Sequence, residues 1–240
     1  GISFLPVAFT IGITSQIVAK TLPKVGPKVH TLIGTALLTL ALLWLSTVDV
    51  HSGYPTKLLP GMLVLAIAMG NLFVPLMLTA VSKVQATDSG IASALLNVGQ
   101  QLGGAIGLSV MATVFGTAAR NYFGSHGHAL FAQVGSLPAP LQHPVQNALM
   151  HAGKNGLQPE QIKAFVAAQP PANRDAAQAF FSGPYKDFSH HLIAHASGQG
   201  FLAGAMFGVV AVIAAAVLIN VKKSEVPSEM SPEALVGAEV

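Results

Sequence analysis

The chain has 240 residues, of which 52% are hydrophobic and only 9% charged. A soluble domain carries about a quarter of its residues charged, so a water-facing surface is excluded for most of this chain, which has apolar length for several membrane spans instead. The absence of cysteine excludes disulfides, thiolate metal sites and cysteine nucleophiles. The net charge of +3 comes from basic residues at the ends of hydrophobic segments, which is the membrane pattern and not a nucleic-acid-binding patch.

Five spans are expected, at about 2–19, 31–48, 58–81, 90–119 and 200–221, since a span needs about 20 mostly apolar residues. The fold class expected is therefore an all-α polytopic membrane protein with five transmembrane helices. The first link holds Lys20, Lys24 and Lys28 with Pro23, Gly26 and Pro27 as helix breakers. Lys222 and Lys223 follow the fifth span, whereas the second link carries Lys57 alone. Lysine-rich loops stay in the cytoplasm, which places the first link, the third link (82–89) and the C-terminus inside, and the second and fourth links outside. The chain then enters the membrane from the outer face at Gly1, within an already hydrophobic segment and without a basic region before a cleavage site. Upstream helices missing from this sequence, rather than a signal peptide, are the expectation.

The organisation expected is 1–119 for the first four spans, 120–197 for a long extracytoplasmic loop, 198–223 for the fifth span and 224–240 for a disordered, acidic, cytoplasmic tail. Within the loop, 138–152, 159–168 and 173–181 are candidate short amphipathic helices, with Pro170-Pro171 closing the second.

The fourth span, GIASALLNVGQQLGGAIGLSVMATVFG, is the most informative. Gly99, Gly103 and Gly107 lie four apart on one face, with Gly104 beside them, and two readings stand: ordinary close helix packing, or a contact that slides or rocks. Asn97, Gln100 and Gln101 share this span, and amides in hydrocarbon must find partners, so they should face the bundle. They either bond to another helix or line a cavity. Gly200, Gly204 and Gly208 repeat the glycine strip in the fifth span, Gln16 is an amide in the first, and in the third Asn71 precedes Pro75, a residue able to kink a helix. No Asp or Glu lies in the middle of a span, so an intramembrane acid for proton coupling is expected in the missing part. His190, His191 and His195 have partly metal-like spacing but no acidic or thiol companion, and solvated surface histidines are the plainer reading. Nothing resembles a nucleotide-binding glycine loop or a catalytic triad, and no cofactor, metal or enzymatic activity is expected.

At the third and fourth spans, GNLFVPLMLTAVSKVQATDSGIASALLNVGQQLGGAIGLSVMATVF resembles the 14-helix drug:proton antiporter branch of the major facilitator superfamily. The positions that carry the likeness are Pro75, Gly90, Ala92, Ser93, Asn97, Gln101, Gly103, Gly104 and Gly107. The first span, with Phe4 to Pro6 and a basic loop around Gly26, is similar to the family's tenth. Gln100 departs from it, since the family often has Arg there, and Ala66 and Ala68 stand where it often has glycine. The resemblance implies the last five of fourteen helices of a secondary transporter in the bacterial inner membrane. It further implies proton-coupled efflux of small hydrophobic or cationic drugs, with the missing N-terminal helices and the lipid bilayer as partners, and a substrate pathway that includes Gln16, Asn71, Asn97, Gln100 and Gln101. The alternative is a truncated or split membrane scaffold that packs with partners and transports nothing itself.

Overall fold

The computed structural model describes residues 4–81, 88–151 and 156–219. Within these the chain is helical with no strand: α1 (Leu5–Val25), α2 (Pro27–Ser46), a π-helical turn (Tyr54–Leu58), α3 (Leu59–Val81), α4 (Ser89–Gly135), α5 (Ala139–His151), α6 (Pro159–Ala168), α7 (Pro171–Ser182) and α8 (Pro184–Leu218). Five helices are long and apolar enough to cross a membrane. The expected tail at 224–240 and most of the third link, 82–87, lie outside the described residues.

The chain divides into two compact units. The first holds Gly1–Thr47, Gly53–Ser109 and Phe201–Val240; the second holds Val48–Ser52 and Val110–Gly200.

In the first unit, α1, α2 and α3 pack through small residues. A Cβ added at Gly70 of α3 would lie 2.6 Å from the Thr14 Cβ of α1, and one at Gly34 of α2 would lie 2.8 Å from the Leu72 side chain of α3. Gly61 meets Leu45 and Trp44 in the same way, and Ala66 and Ala68 are buried beside these contacts. Lipid tails are as apolar as leucine, so close backbone approach and dispersion take the place of a hydrophobic drive. Thr31, Thr35 and Thr39 form a buried ladder along α2, each hydroxyl donating to the carbonyl four residues back at 2.9, 2.9 and 2.8 Å. These bonds satisfy the hydroxyls within their own helix, and Gly208 of α8 seats on the ladder at Thr39.

Large apolar side chains point outward on every long helix of this unit, among them Phe9, Leu40, Phe73, Leu102 and Val210. In water so much exposed apolar surface is an aggregation hazard; in a bilayer it faces its proper solvent, while the helical backbone satisfies its own hydrogen bonds. The protein is an all-α polytopic membrane protein.

The second unit has a conventional apolar core. Leu130 and Val134 of α4, Leu141, Val145 and Leu149 of α5, Phe180 and Phe181 of α7 and Tyr185 of α8 are buried together. A further contact joins Ala118 and Ala119 of α4 to Ala196 of α8.

Three sequence expectations change. The lysine-rich first link is a single residue: Lys20 and Lys24 lie in α1, Lys28 lies in α2, and only Gly26 is non-helical, at φ 91°. That left-handed angle suits glycine, and Pro27 follows at the first helical position, where its missing N–H costs nothing. The helix that carries the fourth span continues past 119: α4 runs for 47 residues, about 70 Å at about 1.5 Å per residue, well beyond the roughly 30 Å of a hydrocarbon core. The fifth helix likewise starts at Pro184, not near 200. The stretch 120–197 is thus mostly ordered helix, and its three candidate short helices appear as α5, α6 and α7.

Candidate functional site

The first unit contains a polar chain that crosses three helices. His30, near the start of α2, is buried. Its Nδ1 lies 3.1 Å from Asn71 Oδ1 on α3, and its Nε2 lies 3.1 Å from Thr21 Oγ1 on α1. Asn71 is buried too, and its Nδ2 donates to the Ile67 carbonyl at 2.9 Å. A carbonyl only accepts, so this bond fixes the amide orientation: Oδ1 accepts from the imidazole, and Nδ1 carries a proton. Asn71, expected in the substrate pathway, is buried in the contact of α3 with α2.

The other expected pathway amides lie elsewhere. Gln16 is exposed on α1, and Asn97, Gln100 and Gln101 are exposed on α4. Asn97 and Gln101 are one turn apart, with Gly104 continuing their face. Around Gly99, Gly103, Gly104 and Gly107 no described neighbour comes within 4 Å of an added Cβ, and Leu95, Leu102 and Ile106 of the same helix are exposed. This half of α4 therefore presents amides, glycines and large apolar side chains together on an uncovered surface. On α8, Gly200 is packed near Met111 at 3.4 Å, Gly204 is half-buried and Gly208 meets Thr39. Pro75 lies buried within α3, which continues through it.

Sequence reasoning passed over His30, Gly34, Gly61 and Gly70. His30 fell inside a presumed loop; the signal was an imidazole one residue before an apolar run that already carries threonines at four-residue spacing. Gly34, Gly61 and Gly70 stand singly and form no strip.

In the second unit, a cavity of about 950 Å³ is lined largely by apolar and aromatic groups, including Phe115, Phe123, Phe181 and Phe188, with Arg120 and His190 among its polar residues. The Tyr185 hydroxyl, before the apolar stretch of α8, accepts a bond from the Leu157 amide at 2.6 Å. Burial pushes its pKa up, and the backbone bond pulls the other way. Of the three clustered histidines, His191 meets the ring of His51 edge-on and His195 lies against Tyr122. Among the described residues no three His, Asp or Glu side chains converge on a point that would hold a metal.

No family model matches the chain, and no solved structure matches it. Two curated proteins do. The puromycin resistance protein pur8 of Streptomyces alboniger is 35% identical over 139 residues, covering 56% of this chain and 27% of that protein. The cephamycin export protein CmcT of Amycolatopsis lactamdurans is 32% identical over 118 residues, covering 49% of this chain and 24% of that protein. The chain thus spans about a quarter of the length of the curated relatives it matches.

Proposed function

We propose that this chain is the C-terminal part of a secondary active transporter that exports drugs or other hydrophobic compounds in exchange for protons, in the 14-helix branch of the major facilitator superfamily. The observation that carries the reading is the uncovered half of α4. Amides on a membrane helix are costly when they face lipid and are kept where they meet another helix or a water-filled pathway. Asn97, Gln100 and Gln101 are exposed here beside four open glycines, so this surface suits the remaining helices of the bundle and a cargo held between them. The names of the two relatives, one a resistance protein and one an export protein, support the same assignment.

In this reading the two halves of the transporter rock around a site near the bilayer midplane. The glycines of α4 let a neighbouring backbone approach and move, and the amides bind polar parts of the cargo. The lysines around Gly26 and the C-terminus lie on the cytoplasmic side of a bacterial inner membrane, and the stretch 120–197 lies on its outer side.

The test is efflux of a fluorescent cationic dye from cells carrying the full-length protein. Gly103 has no described neighbour within 4 Å, so Gly103→Leu leaves the packing of this chain intact and disturbs only what lies against α4 from outside it. Wild type should pump, Gly103→Leu should abolish efflux at matched membrane expression, and Val110→Leu should be mild. Absence of efflux in wild type, or equal efflux by Gly103→Leu, would overturn the reading.

A further inference from the structure

We propose that the cavity of the second unit is a binding site for a single-chain amphiphilic anion, of which a fatty acid is the simplest example. The site lies within that unit and shares no residue with the Asn97–Gln101 stretch of α4. It stands on its own lining, whether or not the chain exports anything.

Two long helix faces wall the cavity. Phe115, Ala119 and Phe123 recur at four-residue spacing along α4, and Tyr185, Ser189 and Ile193 do so along α8, so each set lies on one face of its helix. From Phe115 to Gly124 the α4 wall runs about 13 Å at about 1.5 Å per residue. Leu149, Phe181 and Tyr185 line the cavity and also belong to the buried core of the unit, so this part of the wall is held by the packing beneath it. The bond from the Leu157 amide to the Tyr185 hydroxyl, 2.6 Å long, ties a further lining segment to α8. At about 950 Å³ the space has the size of a ligand pocket, whereas a packed interior holds few voids larger than a water molecule. An elongated trough of apolar and aromatic groups suits an extended alkyl chain. Met150 and Ile193 are 67% and 52% exposed at this cavity, and a bound chain would take their apolar surface out of water.

The charges on the trough have one sign. Arg120, Lys186 and His190 line it and are exposed, and no Asp or Glu is among its lining residues. Among the described residues the ion pair is that of Lys163 with Glu160, so no carboxylate neutralises Arg120 or Lys186. Asp187 follows Lys186 in sequence but lies outside the lining. Arg120 gives an N–H to Thr117 Oγ1 at 3.2 Å, and the guanidinium has further donors in the fork that suits a carboxylate. A ligand with an apolar chain for the trough and an anionic head for these cations meets both features. A hydrophobic cation would fill the trough against like charge, so this is not a site for the cationic cargo proposed above.

The experiment is photolabelling of the full-length protein in phosphatidylcholine nanodiscs by palmitic acid carrying a diazirine in its chain, with labelled peptides identified by mass spectrometry. Labelling should concentrate on 115–124 and 185–193. Unlabelled palmitate should displace it, and hexadecylamine, with the same chain and the opposite charge, should not. Arg120→Gln combined with Lys186→Gln, both at exposed positions, should lower this labelling by about fivefold. Gly124 lines the cavity, and a Cβ added there meets nothing within 4 Å, so Gly124→Phe should block labelling while circular dichroism shows the helices intact. Labelling no stronger at these stretches than elsewhere, displacement by hexadecylamine as readily as by palmitate, displacement by phosphatidylglycerol but not by palmitate, or labelling indifferent to the variants would overturn the proposal.

Discussion

Replacing Gly70 with alanine tests the packing of the membrane bundle at its tightest contact between α1 and α3. The new Cβ would lie 2.6 Å from Thr14 Cβ, 2.7 Å from Thr14 Cγ2 and 3.1 Å from the Ser15 backbone nitrogen. Carbon atoms rest at about 3.5–4.0 Å, so the helices must separate by about an ångström, and a β-carbon and a backbone atom do not swing aside as a side-chain tip would. Overpacking of this kind typically costs about 1–3 kcal/mol. Alanine also has a better helix propensity than glycine, by about 1 kcal/mol, which partly hides the clash. Gly12→Ala on α1 supplies the control, because it gains the same propensity and meets nothing within 4 Å. The difference between the two variants cancels the propensity and leaves about 1–3 kcal/mol. Unfolding by a denaturing detergent, followed by the fluorescence of Trp44, whose indole donates to the Lys57 carbonyl at 3.0 Å, measures that difference. Equal stability of Gly70→Ala and Gly12→Ala would refute the α1–α3 contact and with it the close-packed bundle.

Two further outcomes follow from other parts of the molecule. Single cysteines at Lys24 and Gly135 should differ toward an impermeant thiol reagent in intact cells, with Gly135→Cys labelled and Lys24→Cys protected; the reverse would invert the proposed orientation. Leu141 is fully buried in the core of the second unit, so Leu141→Ala should cost about 2–5 kcal/mol and raise hydrogen exchange in α5 and α7, whereas unchanged exchange there would deny that core.

Hydropathy located the membrane helices because the bilayer imposes it, but it located their ends poorly for the same reason. At Arg120 the sequence stops looking like lipid, yet α4 continues because Gly127, Leu130 and Val134 keep one buried face at helical spacing against the second unit's core. Tyr185, Phe188, Leu192 and Ala196 extend α8 toward its N-terminus by the same periodicity. A hydropathy window reports the solvent a segment suits and not where its helix ends. The short helices α5 to α7 were legible from proline punctuation and amphipathic spacing. The turn at Gly26 looked like a loop because lysine, proline and glycine cluster there, although lysine propagates a helix well and proline opens one. Asn71 could be singled out as a membrane amide, but its partner could not, since His30 is 41 residues away in sequence and only the packing of α2 on α3 joins them. Likewise, the row on α8 makes contacts at Gly200 and Gly208 while the row on α4 meets no described neighbour, and the single Gly34, Gly61 and Gly70 are tightly packed, because closeness depends on the facing helix and not on repetition.

The most direct test of the account is the environment of α4 in the full-length protein. Spin labels placed singly at Asn97, Gln101 and Leu40 can be probed for collision with oxygen, which concentrates in lipid, and with a water-soluble nickel complex. Leu40 is 58% exposed on α2 and serves as the lipid-facing reference. If Asn97 and Gln101 line a pathway enclosed by other helices, their labels should meet the nickel complex and show little oxygen contact, and an added substrate should reduce the nickel contact. Labels at Asn97 and Gln101 that meet oxygen as freely as Leu40 does, and are indifferent to substrate, would place this face in lipid and contradict the account.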